Sequence, residues 1–366
     1  MKPARFAFLA LATLSACAAP PLDPGRIAEI DRIVEKHLAR SGAPGFAIGI
    51  IEGKKVSVLG YGRVSKDSQA KPRGDTLYEI GSITKVFTAF LLADLAQEGV
   101  VKLNDPIRVH LPADVASPRS ADGEIVLSLL ATHRSGLPRL PANLPAFSDD
   151  PYANYGEDRL YDFLKTHRLK WAVDSRYEYS NLGVGLLGHI LERASKTPYE
   201  QLVIRRLTGP LRMGDTRTTL LDGMKERLAP PYSLDGKPSR NWNFQVLAGA
   251  GALKSSVDDL LKFAAANLGK GDPRLVETLA TCHAVRHEPF PARLRVGLAW
   301  NHSPVRAGGA WVTWHNGGTG GYSAFIGFVK ETGTAVVILA NASPAIPPSP
   351  SETDQAGFEL LELLNP

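Results

Sequence analysis

The sequence is poor in cysteine. Its 366 residues include only Cys17 and Cys282, which is too few for a disulfide framework. A chain of this length can bury a large core as one big domain or two interleaved ones. We therefore expect the fold to be held by its core and not by covalent cross-links.

A strong charge of one sign is also missing, as is a long hydrophobic run. The 42 Lys and Arg residues against 37 Asp and Glu residues give a net charge of +5, and the basic residues are scattered. This charge is too small to indicate a nucleic-acid partner. The N-terminal apolar stretch, Phe6 to Leu14, is too short to span a bilayer.

Several motifs that carry enzyme chemistry are absent from the sequence. It has no Gly-x-Ser-x-Gly elbow, no Walker loop and no His-Glu-x-x-His segment. His283 and His287 lie four residues apart beside Cys282, but no third ligand has suitable spacing. We interpret them as surface histidines, and we expect neither a metal ion nor a cofactor.

The N-terminus has the pattern of a targeting segment. Lys2 and Arg5 precede the apolar stretch 6–14, and small residues then lead to Cys17. This pattern resembles a bacterial lipoprotein signal, which predicts a signal peptide over 1–16, acylation of Cys17, a tether over 17–25 and anchoring to a membrane surface. An ordinary secretory signal with a cysteine near the cut is the alternative.

Hydrophobic periodicity predicts an α+β fold. Apolar residues recur with helical spacing over Arg26 to Arg40, and strands follow at 46–51 and 56–61. We expect helices at 127–133, 160–167, 181–194, 199–207 and 358–364, and strands at 293–300, 311–315, 323–330 and 334–340. This order predicts an antiparallel sheet from both chain ends, formed within 26–80 and 290–366, flanked by helices and interrupted by a mainly helical part over about 81–289.

The stretch around Ser82 is the first candidate site. Ser82 follows a glycine and opens an apolar run with helical spacing that ends at Gly99. Lys85 lies one turn later on the same face, where a dry cleft would lower its pKa and allow it to accept the serine proton. The alternative is a helix-capping serine followed by a solvated lysine.

Two further clusters are weak signals when each is taken alone. Tyr179 and Asn181 open a predicted helix and could supply a phenol and an amide, or could simply pack and cap that helix. His315 starts a segment rich in glycine, including Gly317 and Gly318, at the end of a predicted strand. Glycines there could leave backbone N–H groups free for an oxyanion, or could form a hairpin turn.

Together and in this order, the three clusters resemble the Ser-x-x-Lys, Tyr-x-Asn and Lys-Thr-Gly boxes of the class C β-lactamase family, with its DD-peptidase and esterase relatives. Further segments are similar to that family. They are Val101–Pro106, Leu129–Pro138, Leu211–Thr216 and Gly249–Leu260. The resemblance covers roughly residues 27–341 and implies a β-lactamase/transpeptidase-like fold.

The resemblance also implies a role for each residue. Ser82 would be the nucleophile of an acyl-enzyme, Lys85 and Tyr179 would transfer protons, and Asn181 would hold a substrate amide. The backbone N–H groups of Ser82 and Gly318 would form the oxyanion hole. The Gly317–Gly318 edge would pair with the substrate main chain.

One position departs from the family pattern. His315 stands where penicillin-binding members carry a lysine that meets the carboxylate of a β-lactam or of a terminal D-alanine. A histidine supplies less charge at neutral pH. Three hypotheses follow: a hydrolase of β-lactams or D-alanyl peptides, a carboxylesterase or D-aminopeptidase with the same machinery, or a non-catalytic penicillin-binding lipoprotein.

Overall fold

The computed structural model describes residues 24–121, 123–145, 149–344 and 350–366. The predicted signal peptide, the predicted lipidation site Cys17 and most of the predicted tether lie outside the described residues. None of the helices in the described ranges combines the length and the apolar character that crossing a bilayer requires.

Helices account for much of the described chain. They are α1 (Pro24–Ser41), α2 (Thr84–Gln97), α3 (Leu127–Ala131), α4 (Glu157–Thr166), α5 (Asn181–Ser195), α6 (Tyr199–Val203), α7 (Val257–Asn267), α8 (Pro273–His283) and α9 (Glu352–Leu364).

Strands occur near both ends of the chain and at a few points between. They are β1 (Gly45–Glu52), β2 (Lys55–Gly62), β3 (Leu77–Glu79), β4 (Arg119–Ser120), β5 (Gly123–Glu124), β6 (Lys254–Ser256), β7 (His287–Phe290), β8 (Leu294–Val296), β9 (Asn301–Pro304), β10 (Trp311–Gly318), β11 (Ser323–Val329) and β12 (Thr334–Ala340).

The main sheet has eight antiparallel strands in the order β2-β1-β12-β11-β10-β9-β8-β7. The N-terminal hairpin joins the C-terminal strands through β1 and β12, where Ile48 lies opposite Ile338. This confirms the predicted fold class, with a sheet built from both chain ends and a mainly helical insertion.

Alternation along β1 explains why the sheet is covered on both faces. Ala47 and Ile51 belong to the large core that includes the α2 and α7 helices, whereas Phe46, Ile48 and Ile50 belong to a second core with α1 and α9. Successive side chains of a strand point to opposite faces. The large core joins the sheet to the helical part, and the cleft lies where the two meet.

Some predicted elements need correction. The segment 293–300 is a strand only over Leu294–Val296, because the chain turns at Ala299, whose φ is 58°. The last helix begins six residues before the predicted Phe358, at a capping box formed by Ser351 and Asp354. The helices α7 and α8 and the short strands β3 to β7 and β9 were not predicted.

Candidate active site

Ser82 lies in a single 3₁₀ turn, Gly81–Ile83, that leads directly into α2. The serine therefore precedes the helix instead of being its first residue. It keeps partial exposure while the rest of the turn and the first three turns of α2 are buried. This position presents its hydroxyl to the cleft beside the positive end of the helix.

Two glycines let β10 approach this turn closely. Gly81 has a φ of +48°, and a Cβ there would lie 2.6 Å from the Gly318 nitrogen. A Cβ on Gly317 would lie 1.9 Å from the Ile80 carbonyl oxygen and 3.2 Å from the Ser82 nitrogen. The backbone of Ser82 and the Gly317–Gly318 edge are therefore adjoining, as an oxyanion hole requires.

Lys85 is fully buried, and its side-chain nitrogen contacts the hydroxyl of Ser82. Its Nζ lies 2.8 Å from Ser82 Oγ and donates to the Ala250 carbonyl at 2.7 Å. Burial, assisted by the charge of Arg139, holds the pKa of Lys85 well below its ordinary value. The amine is therefore suited to be neutral and to accept a proton from Ser82.

Tyr179 closes the other side of the serine. Lys85 Nζ lies 5.1 Å from the centre of its ring, and the His133 ring packs against it with a centroid separation of 4.4 Å. Burial raises the pKa of Tyr179, and a hydrogen bond with Ser82 opposes that shift. The phenol therefore remains protonated and can donate.

The structure thus brings Ser82 and Lys85, from one segment, together with Tyr179 from a second segment. A neutral amine beside a protonated phenol forms a pair that can take one proton and give another. Backbone N–H groups at the same point can stabilise developing negative charge on an oxygen. This arrangement is suited to acyl transfer through a serine.

Asn181 and His315 both lie at this site, but they differ in their access to the cavity. Asn181 lines the cavity, and its Nδ2 donates to the Tyr152 hydroxyl at 3.0 Å. His315 is 1% exposed and is not among the described residues that line the cavity. Its Nδ1 donates to the Asn316 carbonyl at 2.6 Å, and burial together with Lys85 lowers its pKa to about 3.

An open cavity of about 410 Å³ lies above these groups. The described residues that line it are Ser82, Arg139, Tyr179, Asn181, Trp242, Asn316, Gly317, Gly318, Thr319, Gly320, Ser343, Pro344, Ser351 and Asp354. Its wall is rich in polar groups and backbone, which favours a substrate with several hydrogen-bonding groups.

Sequence reasoning missed several residues of this wall, among them Arg139, Trp242 and Asp354. Arg139 follows the Leu129–Pro138 segment directly, and its guanidinium lies 5.2 Å from the centre of the Tyr179 ring. Trp242 donates from Nε1 to the Asp149 carbonyl at 2.9 Å. Asp354 had a signal, since Ser351 and Asp354 have capping-box spacing before an apolar run.

Three tryptophans in the C-terminal part of the chain are not among the described residues that line the cavity. Trp300 is fully buried against Phe263 and Phe328, and Trp314 packs on Phe325 with its Nε1 donating to Ser303. Trp311 lies under the Arg295 guanidinium. These residues stabilise the sheet.

The candidate histidine pair does not form a metal site in the described chain. His283 Nε2 lies 2.7 Å from the Asn267 Oδ1 atom, and His287 lies in the strand that follows the helix. No group of three His, Cys, Asp or Glu side chains within the described ranges could hold a metal ion.

A family model described as Beta-lactamase matches residues 30–359 of the sequence. That match covers most of the chain and all of the residues assembled around Ser82. The chain belongs to the beta-lactamase family. As a member of this family in which Ser82 and Lys85 are in contact, it is a serine hydrolase, and the non-catalytic hypothesis is set aside.

Named relatives agree with the beta-lactamase assignment. The chain is 28% identical over 344 residues to the D-alanyl-D-alanine-carboxypeptidase/endopeptidase AmpH of Escherichia coli K12, covering 89% of this chain and 87% of that protein. It is 26% identical to a beta-lactamase of Pseudomonas fluorescens, covering 85% of this chain and 92% of the other.

Solved structures show the same beta-lactamase fold. The beta-lactamase/D-alanine carboxypeptidase of Yersinia pestis superposes with a TM-score of 0.80 at 26% identity, covering 93% of this chain and 99% of the other. A class C beta-lactamase superposes with a TM-score of 0.79 at 21% identity. The resemblance stated from the three sequence boxes is therefore confirmed for family and fold.

Proposed function

We propose that this protein is an exported hydrolase that forms an acyl-enzyme on Ser82 and acts on D-alanyl peptides or β-lactams. The observation that carries the proposal is the 2.8 Å separation between Lys85 Nζ and Ser82 Oγ, with Tyr179 against both. The names of the relatives, a D-alanyl-D-alanine carboxypeptidase and a beta-lactamase, support the substrate class.

Acylation would proceed by two proton transfers. Neutral Lys85 takes the Ser82 proton as the oxygen attacks the substrate carbonyl, and the N–H groups of Ser82 and Gly318 hold the resulting oxyanion. The carbon–nitrogen bond then breaks, and Tyr179 gives its proton to the leaving nitrogen. Proton exchange between Lys85 and Tyr179 restores the neutral pair.

Deacylation would reuse the same groups. A water molecule loses its proton to the Lys85–Tyr179 pair as it attacks the ester carbonyl, and Ser82 recovers a proton as the acyl group leaves. Asn181 lines the cavity beside Tyr179, where its side-chain amide would hold the substrate amide. Neither step requires a metal ion or a cofactor.

Intact-mass spectrometry tests this proposal directly. Incubation with a penicillin should add the mass of the whole antibiotic, because ring opening expels no fragment, and a fluorophosphonate should add its own fragment at the same residue. The Ser82→Ala variant should take up neither. Absence of both adducts from correctly folded protein would contradict the acyl-enzyme. The decay of the penicillin adduct with time separates a lactamase from a slow peptidase.

A second candidate function is supported by His315. Its pKa, lowered to about 3, leaves it neutral where the family lysine would meet a carboxylate. The same machinery would then serve a carboxylesterase or a D-aminopeptidase. Turnover of p-nitrophenyl butyrate without turnover of nitrocefin would favour this candidate, and the reverse would favour the first.

Export and lipidation of Cys17 form a separate part of the proposal. They are supported by the sequence pattern of residues 1–17. Cells grown with a labelled fatty acid should incorporate the label into the protein. The Cys17→Ala variant should lose the label and leave the membrane fraction. Equal membrane association of the two proteins would contradict the anchor.

A further inference from the structure

A buried carboxylate forms part of the cavity wall on the side of the sheet. Asp354 lines the cavity and is 7% exposed. Its Oδ2 accepts from Asn316 Nδ2 at 2.9 Å and from the Ser351 backbone nitrogen at 3.2 Å. Its Oδ1 is buried without a hydrogen-bond partner among the described residues.

The cap of helix α9 does not give Oδ1 a hydrogen-bond partner. The capping box with Ser351 uses Oδ2 only, so Oδ1 contributes nothing to it. Leaving a buried acceptor without a donor is unfavourable. A ligand that enters the cavity is one group that could supply the missing contact.

Asp354 has no cationic partner among the described residues. None of the groups that shift its pKa is a cation: burial raises the pKa, and hydrogen bonds from Asn316 and Ser351 oppose that shift. Burial without a cation favours the neutral acid, whereas a cationic donor in the cavity would stabilise the ionised carboxylate. The complementary substrate group is therefore a donor with positive charge.

None of the described residues that line the cavity beside Asp354 is a cation that would pair with a substrate carboxylate. His315 donates its Nδ1 proton to the Asn316 carbonyl, and its pKa is lowered to about 3, so the ring is neutral at pH 7. Its buried Nε2 is then a bare acceptor with no partner in the described chain. The other charged residue of the described cavity wall, Arg139, lies on the wall formed by the helical part, over the Tyr179 ring.

We propose that Asp354 and Asn316 form a subsite for an ammonium group on the leaving-group side of the substrate. The same subsite disfavours a free carboxylate in that position. This inference rests on the proposed acyl-enzyme at Ser82. It narrows the substrate class to acyl compounds whose leaving group carries an amine, such as an internal peptide bond next to a basic side chain.

Three esters of N-acetyl-D-alanine test the subsite, because they share one acyl group and differ only in the alcohol. The 2-(dimethylamino)ethyl ester carries an ammonium, the 3-methylbutyl ester is its neutral isostere, and the glycolate ester carries a carboxylate. We expect kcat/KM for the ammonium ester to exceed that of its isostere at least about tenfold. The glycolate ester should be the slowest.

Asp354→Asn removes the charge while leaving an oxygen that can cap α9. In this variant the ratio of kcat/KM for the ammonium ester to kcat/KM for its neutral isostere should fall to about one. Glu362→Gln is the matched control, since it removes a carboxylate from the same helix at a position that pairs with Arg306 outside the cleft. The control should keep the wild-type ratio, and melting temperatures should show that both variants are folded.

The outcomes separate the two proposals. A ratio near one in the wild-type protein, or a preference that survives in Asp354→Asn, would overturn the ammonium subsite even if the variant folds poorly. Failure of all three esters together with failure of fluorophosphonate to label Ser82 would instead overturn the proposed function. Labelling of Ser82 with no ester preference rejects the subsite alone.

Discussion

Lys85 has no solvent exposure, although lysine is among the residues that are rarely buried. Its position was predicted because the Ser-x-x-Lys spacing puts it on the same helical face as Ser82. Its environment was not, because the Ala250 carbonyl and the charge of Arg139 come from distant parts of the chain. A four-residue motif specifies the contact between Ser82 and Lys85, but it does not specify that water is excluded around them.

Replacement of Lys85 tests its proposed role as the base. Lys85→Met keeps the volume and removes the amine, so kcat should fall by about 10³-fold. Ester or nitrocefin turnover measures this loss. Retention of wild-type kcat in a folded Lys85→Met protein would assign the proton transfer to another group.

The same variant makes a prediction about stability. The folded pKa of Lys85 lies below its unfolded value, so below about pH 10 the unfolded chain binds a proton that the folded chain does not. The contribution of Lys85 to the free energy of unfolding of the wild-type protein therefore becomes less favourable as the pH decreases. Thermal melts at pH 9 and pH 6 should show that the melting temperature of Lys85→Met rises relative to that of the wild-type protein at the lower pH. The same difference in melting temperature at both pH values would argue against a depressed pKa of Lys85.

Arg139 gives a second prediction for a single residue. Its charge lowers the pKa of Lys85, so Arg139→Gln should raise that pKa. The acidic limb of the profile of kcat/KM against pH should then move to higher pH, because Lys85 must lose its proton to act as a base. Arg139→Lys keeps the charge and should leave the limb in place. A shift in both variants would indicate a packing effect.

Among the elements, the approach of β10 to the Ser82 turn is the most demanding contact. Gly81→Ala places a Cβ 2.6 Å from the Gly318 nitrogen at a φ of +48°. We expect kcat/KM to fall at least about 100-fold, since small displacements of reacting groups have effects of that size. The melting temperature should fall as well, because the backbone is strained for any residue except glycine.

Gly214→Ala is the matched control for Gly81→Ala. A Cβ at Gly214 meets nothing within 4 Å, so the free energy of unfolding should change by no more than about 0.5 kcal/mol. Ester turnover and urea melts of the two variants side by side measure the difference. Equal losses in both would mean that the contact between β10 and the turn is not needed for the site.

Long periodic elements were predicted well, and short or capped ones were not. β12 is observed at Thr334–Ala340, as expected, because it is a continuous apolar run buried on both faces. The helix α8 was missed although Asp272 and Pro273 form a clear N-terminal signal. The strands β7 to β9, at one end of the sheet, are short and only partly apolar, so their pairing depends on the neighbouring strands.

At the scale of the whole molecule, one large core joins the sheet to the helical part. It includes Ile51 and Leu339 from the sheet together with Phe87 and Phe163 from the helical part. The fold class could be predicted from strands at both chain ends. The cleft between the two parts could not, because Arg139 and Asp354 line different walls that come together only after folding.

A shared core predicts cooperative unfolding of the two parts. Leu339→Ala should lower the free energy of unfolding by about 2–5 kcal/mol, because its side chain is fully buried in the joint core. Far-ultraviolet circular dichroism and the loss of fluorophosphonate labelling at Ser82 should show the same midpoint in both proteins. Separate midpoints would mean that the helical part melts independently.

The place of β1 between β2 and β12 has a consequence for biosynthesis. β1 leaves the ribosome almost 300 residues before its partner, and until then one of its hydrogen-bonding edges is open while both of its faces are apolar. Such a strand is a template for association with other chains, and contacts this distant in sequence form slowly. The nascent chain is therefore exposed to aggregation for nearly its entire synthesis, and the closing of the β1–β12 pair is the expected slow step of refolding.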